Sequence, residues 1–165
     1  MRSYFSAYLL WDAMHQTALA RQIEGKHEGR SRFDMRHRGF VLSSVIASVG
    51  FLEAMINELF QDAFDGHTPA GAGVEPLPLE ARQRMNQYWV DTRQGRTEIL
   101  DKYQALVEIV GVQRMPHGEA PYQDAATAIG LRNAIVHFRA QDLSPDEPRF
   151  DRSRRGSGCS CARFG

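Results

Sequence analysis

Arg132, Asn133 and His137 lie within one octet, Leu131-Arg132-Asn133-Ala134-Ile135-Val136-His137-Phe138, and are the side chains best equipped for chemistry. An imidazole titrates near neutrality, so it can take a proton from a hydroxyl or return one to a leaving oxygen. A guanidinium offers paired hydrogen bonds to a phosphoryl group as negative charge builds up on it. RNA carries its own nucleophile in the 2′-hydroxyl, so a histidine and an arginine suffice in principle to cleave it without a metal.

The spacing places these groups on a helix. At about 100° per residue, Asn133 and His137 share one face, with Gly130, Ala126 and Ala134 on it or beside it. Arg132 points about 140° away from His137, but its long stem can carry the guanidinium round the helix. One histidine cannot readily be base and acid in the same step. Two copies of the chain, meeting about a two-fold axis, could divide the roles.

An arginine five residues before a histidine is a weak pattern alone. With 18 arginines and six histidines, chance spacing is expected to supply such a pair, and Arg32–His37 is a second instance. That pair sits in a basic, glycine-flanked segment and reads as coincidence. The Arg132 pair lies in an apolar helix, has a polar residue directly after the arginine, and closes the folded region.

Five helices are predicted to position these residues, over 3–23, 40–64, 79–91, 96–110 and 122–141. No segment shows sustained two-residue alternation, so sheet is not expected. In the first helix Tyr4, Tyr8, Trp11, His15 and Ala18 fall on one stripe, with Trp11 and His15 expected to serve packing. The second has a broad apolar face from Val41 to Phe60. It also carries a run of small or short side chains, Ser43, Ala47, Gly50, Ala54 and Asn57, which lets another helix approach closely, within this chain or across a dimer. Glu53 lies beside that run and is the expected partner for Arg132. The connections over 66–78 and 111–121 are rich in proline and glycine. The expectation is an all-α, antiparallel bundle spanning residues 1–148, followed by a flexible Arg/Gly/Ser-rich tail over 149–165.

Composition fits one globular domain, with 42% hydrophobic and 24% charged residues and a formal net charge of zero. The charge is uneven: residues 149–165 hold five arginines against one aspartate, and residues 21–38 hold six cations against three acids. Basic segments of this kind are compatible with RNA contact. Cys159 and Cys161 are poorly spaced for a disulfide and too few for a structural zinc. The histidines are scattered, so no metal site and no cofactor is expected. The first fourteen residues lack the pattern of a signal peptide, and Glu53, Asn57 and Glu58 interrupt the longest apolar run. A cytoplasmic protein with no membrane contact is therefore the expectation.

The octet resembles the Arg-[Asn/His/Asp]-x3-His motif of HEPN domains, and Ile46 to Phe60 is similar to the long early helix of that family. The resemblance covers residues 40–138, and only the octet is specific. It implies a helical bundle that forms a homodimer with two motif copies facing one cleft. In the catalytic branches that cleft cuts RNA without a metal, in toxins of toxin–antitoxin pairs, antiphage defence proteins and CRISPR-associated nucleases. Carried over to this chain, it implies Arg132, Asn133 and His137 as site residues and RNA as substrate, with a cognate antitoxin or nucleotidyltransferase as a possible partner. One branch has a tyrosine two residues after the histidine, where a nucleotidyltransferase modifies it. Arg139 stands there instead, which puts that route of silencing in doubt. The alternative is a non-catalytic module for RNA or nucleotide binding or for dimerisation, with His137 and Asn133 a structural pair and Arg132 an ion-pair anchor.

Overall fold

A helix must bury an apolar stripe against neighbours, and in this chain one long helix serves all the others. The structure, a computed structural model, describes residues 3–26, 34–67 and 77–138. Arg32, Arg139, Cys159 and Cys161 and the whole 149–165 tail fall outside them; the last helix, expected to run to 141, ends at Val136, with His137 as its C-cap. Among the described residues there are five helices and no strand: α1 (Phe5–Lys26), α2 (Met35–Asp65), α3 (Leu79–Asp91), α4 (Ile99–Ile109) and α5 (Tyr122–Val136). The expected all-α bundle is observed. Every other helix packs on α2, α4 also touches α3 and α5, and among the described helices α1 packs on α2 alone.

The core lies where the C-terminal half of α2 meets α3 and α4. Ile56, Phe60, Ala63, Met85 and Trp89 are buried together, with Leu59, Tyr88, Tyr103, Leu106 and Ile109 closing round them. The Phe60 ring lies nearly parallel to the Trp89 indole, centroids 6.1 Å apart. Burial of several large side chains at one place dominates the stabilisation, at roughly 1.5–3 kcal/mol each. By length and composition α2 is also apolar enough to cross a membrane. Here its lower half is the centre of the bundle, with Ile56 and Phe60 fully enclosed.

The helices α1 and α2 run antiparallel. Tyr4 donates to Asp62 Oδ2 at 2.9 Å at one end, and His37 Nε2 meets Glu24 Oε1 at 2.7 Å at the other. Such close pairing needs small side chains between the axes. Ala13 and Ala20 of α1 and Ala47 of α2 supply them, and Leu9 covers Gly50, its two Cδ atoms 3.5 Å from where a Cβ would stand. The small-residue run of α2 is thus occupied in part within the chain. The expected α1 stripe is corrected: Tyr8, Trp11, His15 and Ala18 face solvent, Trp11 at 65% exposure. With a single neighbour, α1 buries one narrow face, and alanines suit that close approach better than aromatics.

Helix limits differ from expectation where caps intervene. α2 begins at Met35 rather than at residue 40, because Asp34 accepts hydrogen bonds from the backbone N–H of Arg36 and His37. That cap outweighs the cost of Gly39 inside the helix. His37 therefore lies in α2, not in a loop. α2 ends at Gly66, whose φ of 62° is the left-handed conformation glycine tolerates. α4 begins at Ile99, not 96. The intervening turn carries positive φ at Arg93, Gln94 and Gly95, and the Trp89 ring lies against Gly95.

Candidate functional site at the junction of α2, α4 and α5

Arg132 leaves α5 toward α2, and its Nη2 lies 3.6 Å from Glu53 Oε2. This is the partner expected from the sequence. The contact is loose: 3.6 Å is an ion-pair distance, beyond that of a good charge-assisted hydrogen bond. The Arg132 side chain is about three-quarters covered, at 26% exposure. Its Nε is buried without a hydrogen-bond partner among the described residues. Leaving a buried donor unpaired costs on the order of 1–3 kcal/mol, and more when the group is charged.

One turn further along α2, on the same face as Glu53, Asn57 accepts a hydrogen bond from Lys102 Nζ of α4 at 2.7 Å. Lys102 is only 3% exposed. Its ammonium is held below the ordinary lysine pKa by burial, while Glu53 and Glu98 oppose that shift. The junction therefore gathers two cations, Arg132 and Lys102, about the carboxylate of Glu53. Sequence reasoning missed Lys102. Its signal was present: a lysine inside the run Ile99, Leu100, Tyr103, Leu106, where a helix turns apolar residues inward. Next to it, Tyr103 donates to the Leu52 carbonyl at 3.0 Å, and burial pushes its hydroxyl up to about 12.

Asn133 and His137 point elsewhere. Both are exposed, and His137 is the C-cap residue of α5, its backbone N–H donating to the Asn133 carbonyl. Within one chain Arg132 faces α2, while Asn133 and His137 face open space. The motif helix, expected to be apolar, covers little of that apolar surface: no residue of α5 is fully buried. Leu131, Val136 and Phe138 are 49%, 55% and 76% exposed, and a Cβ on Gly130 would meet nothing within 4 Å. A helix this apolar that covers so little of itself presents a face with no partner among the described residues.

Open grooves among the described residues include one between α1 and α2 beside Leu10, Met14 and Arg21, and one between α3 and α4 beside Arg84, Asp101 and His117. Neither is lined by Arg132, Asn133 or His137. Among the described residues no group of histidine, cysteine, aspartate and glutamate has the arrangement of a metal site. No protein-family model matches the chain, and no curated protein and no solved structure matches it.

Proposed function

We propose that this chain is a metal-independent endoribonuclease of the HEPN type, with a toxin or antiphage-defence role, acting in the cytoplasm as a homodimer. The observation that carries the reading is the division of labour on α5. Arg132 is anchored near Glu53, while Asn133 and His137 stand on an exposed face bordered by Leu131, Val136 and Phe138. Two such faces meeting about a two-fold axis would bury the apolar residues and bring two imidazoles to one cleft. In that cleft one imidazole takes the 2′-hydroxyl proton as the oxygen attacks phosphorus. The other protonates the departing 5′-oxygen, and the guanidinium stabilises the charged phosphorane. The products are a 2′,3′-cyclic phosphate and a 5′-hydroxyl. Asn133 orients the imidazole or the phosphate.

A second reading has its own support. The Glu53–Arg132 contact is also what an anchor between α5 and α2 would form, and a non-catalytic RNA-binding or dimerisation module needs nothing more. The deciding experiment incubates purified protein with tRNA and mRNA in EDTA and maps the ends. Cleavage that His137→Ala abolishes supports the nuclease. Intact RNA with wild type, or an activity that requires added magnesium, rejects it.

A further inference from the structure

The Glu53 carboxylate lies 3.6 Å from Arg132 Nη2, while Lys102 Nζ is bonded one helical turn away on Asn57, within electrostatic reach of Glu53. A carboxylate that closes fully on a guanidinium forms two parallel bonds at shorter range. Here it does not, and Arg132 Nε also lacks a partner among the described residues. The half-made pair has a neighbour that can account for it. Lys102 is fixed by its enclosure and by Asn57, so its charge cannot swing away, and in so enclosed a place it is weakly screened. The field of Lys102 draws on the same carboxylate that Arg132 would otherwise monopolise.

We propose that Lys102 is a positioning residue: fixed on Asn57, it competes for Glu53 and so keeps the Arg132 guanidinium free to receive a phosphate-class anion. The inference rests on Arg132 being the anion-binding group of the proposed function, and does not depend on RNA being cut. Lys102 itself, at 3% exposure, does not touch the anion. With Lys102 charged, the junction carries one more cation than the Glu53 carboxylate neutralises, and an incoming anion completes it. Without that charge, Glu53 satisfies Arg132 alone, and an anion must first displace it.

The test is a titration of the full-length protein with inorganic pyrophosphate, read on the side-chain Nε–Hε resonance of Arg132 and assigned with Arg132→Lys. Wild type is expected to bind, and Lys102→Met to bind about tenfold more weakly. Glu53→Gln, which removes the competitor, is expected to bind more tightly than wild type. In the Glu53→Gln background most of the effect of Lys102→Met should vanish, because Lys102 acts through Glu53. A loss of equal size in both backgrounds would make Lys102 a general source of positive field and overturn the proposal. So would no loss in either background, or no pyrophosphate response at Arg132 in wild type. Should Lys102→Met fail to fold, Glu53→Gln alone decides: unchanged or weaker binding rejects the competition. If the binding pattern holds while RNA stays intact, the nuclease reading falls and the role of Lys102 stands.

Discussion

Glu58 of α2 caps α1 through Ser6: its Oε2 accepts the Ser6 hydroxyl at 2.5 Å, and its Oε1 accepts the backbone N–H of Phe5 and Ser6 at 2.6 and 3.0 Å. The first N–H groups of a helix have no partner inside it, and a carboxylate there also meets the positive end of the helix dipole. The cap for α1 is thus borrowed from another helix, 52 residues away from Ser6. Glu58→Ala is expected to lower stability by about 1–2 kcal/mol, and Glu58→Gln by less, because an amide still accepts. Denaturant melts of the two variants against wild type give the comparison. Equal stability of all three would show that the cap contributes nothing.

Gly95→Ala should be costly. An added Cβ would collide with the Trp89 ring at Cζ3, and the φ of +76° already disfavours a side chain. The Trp89 ring cannot yield without disturbing its stack on Phe60. A loss of roughly 2–4 kcal/mol is expected, in the range of core overpacking plus left-handed strain. Thermal unfolding measures it, and near-ultraviolet circular dichroism should report the displaced indole.

On RNA, Arg132→Ala is expected to lower the cleavage rate by about 10²–10³. For His137→Ala the expected loss is about 10²–10⁴. Asn133→Ala should be milder, since an amide orients rather than moves a proton. Arg32→Ala and His37→Ala are the internal control. His37 meets Glu24 where the far ends of α1 and α2 come together, so its loss should touch stability and leave the chemistry alone. Cleavage that survives both α5 substitutions and dies with either control would place the chemistry at the wrong pair.

Wild type is expected to sediment as two chains of 18.7 kDa each. Leu131→Glu combined with Val136→Glu charges the open face of α5 and should yield monomer with unchanged helical content. Only monomer from wild type at micromolar concentration, or an undisturbed dimer from the double variant, would remove α5 as the interface.

Alkaline stability should carry the mark of Tyr103. Its hydroxyl titrates at about 12 in the folded chain, above the ordinary value of 10.0, so between those values the folded state holds more protons than the unfolded state. Stability from this group is complete below pH 10.0 and is lost as pH rises toward about 12. Lys102 has the opposite sign. Its lowered pKa means the unfolded chain holds more protons below 10.5, so stability gains as pH rises toward that value. Tyr103→Phe should flatten the fall above pH 10.0 and cost about 1 kcal/mol at neutral pH through the lost bond to Leu52. A fall as steep as in wild type would assign it to other groups.

The helices were legible because apolar periodicity and glycine or proline breaks are local signals. The pairing of Arg132 with Glu53 was legible for a different reason: a charged residue beside an apolar face usually needs an opposite charge on the helix it meets. What the sequence hid depends on how many neighbours each helix has. Tyr8 and Trp11 read as core because their spacing is helical, yet α1 has one partner and no room for them inside. α5 reads as an apolar helix, but periodicity does not tell a face covered by the chain from one left open. Lys102 carries a signal in its place among the apolar residues of α4, but its type points to the surface, and the meeting of α2 and α4 supplies the partner with which it is buried.

Because α1 touches α2 and no other described helix, the molecule has a built-in order of coming apart. Detaching α1 breaks its ties to Glu58, Asp62 and His37 but leaves the Ile56–Phe60–Trp89 core whole. Backbone amides of α1 should then trade deuterium through a sub-global opening of their own, faster than those of α3 and the lower half of α2. A chain built this way has a peelable outer stave, so a partner that grips the aromatic side of α1 can lift it while the core beneath stays closed.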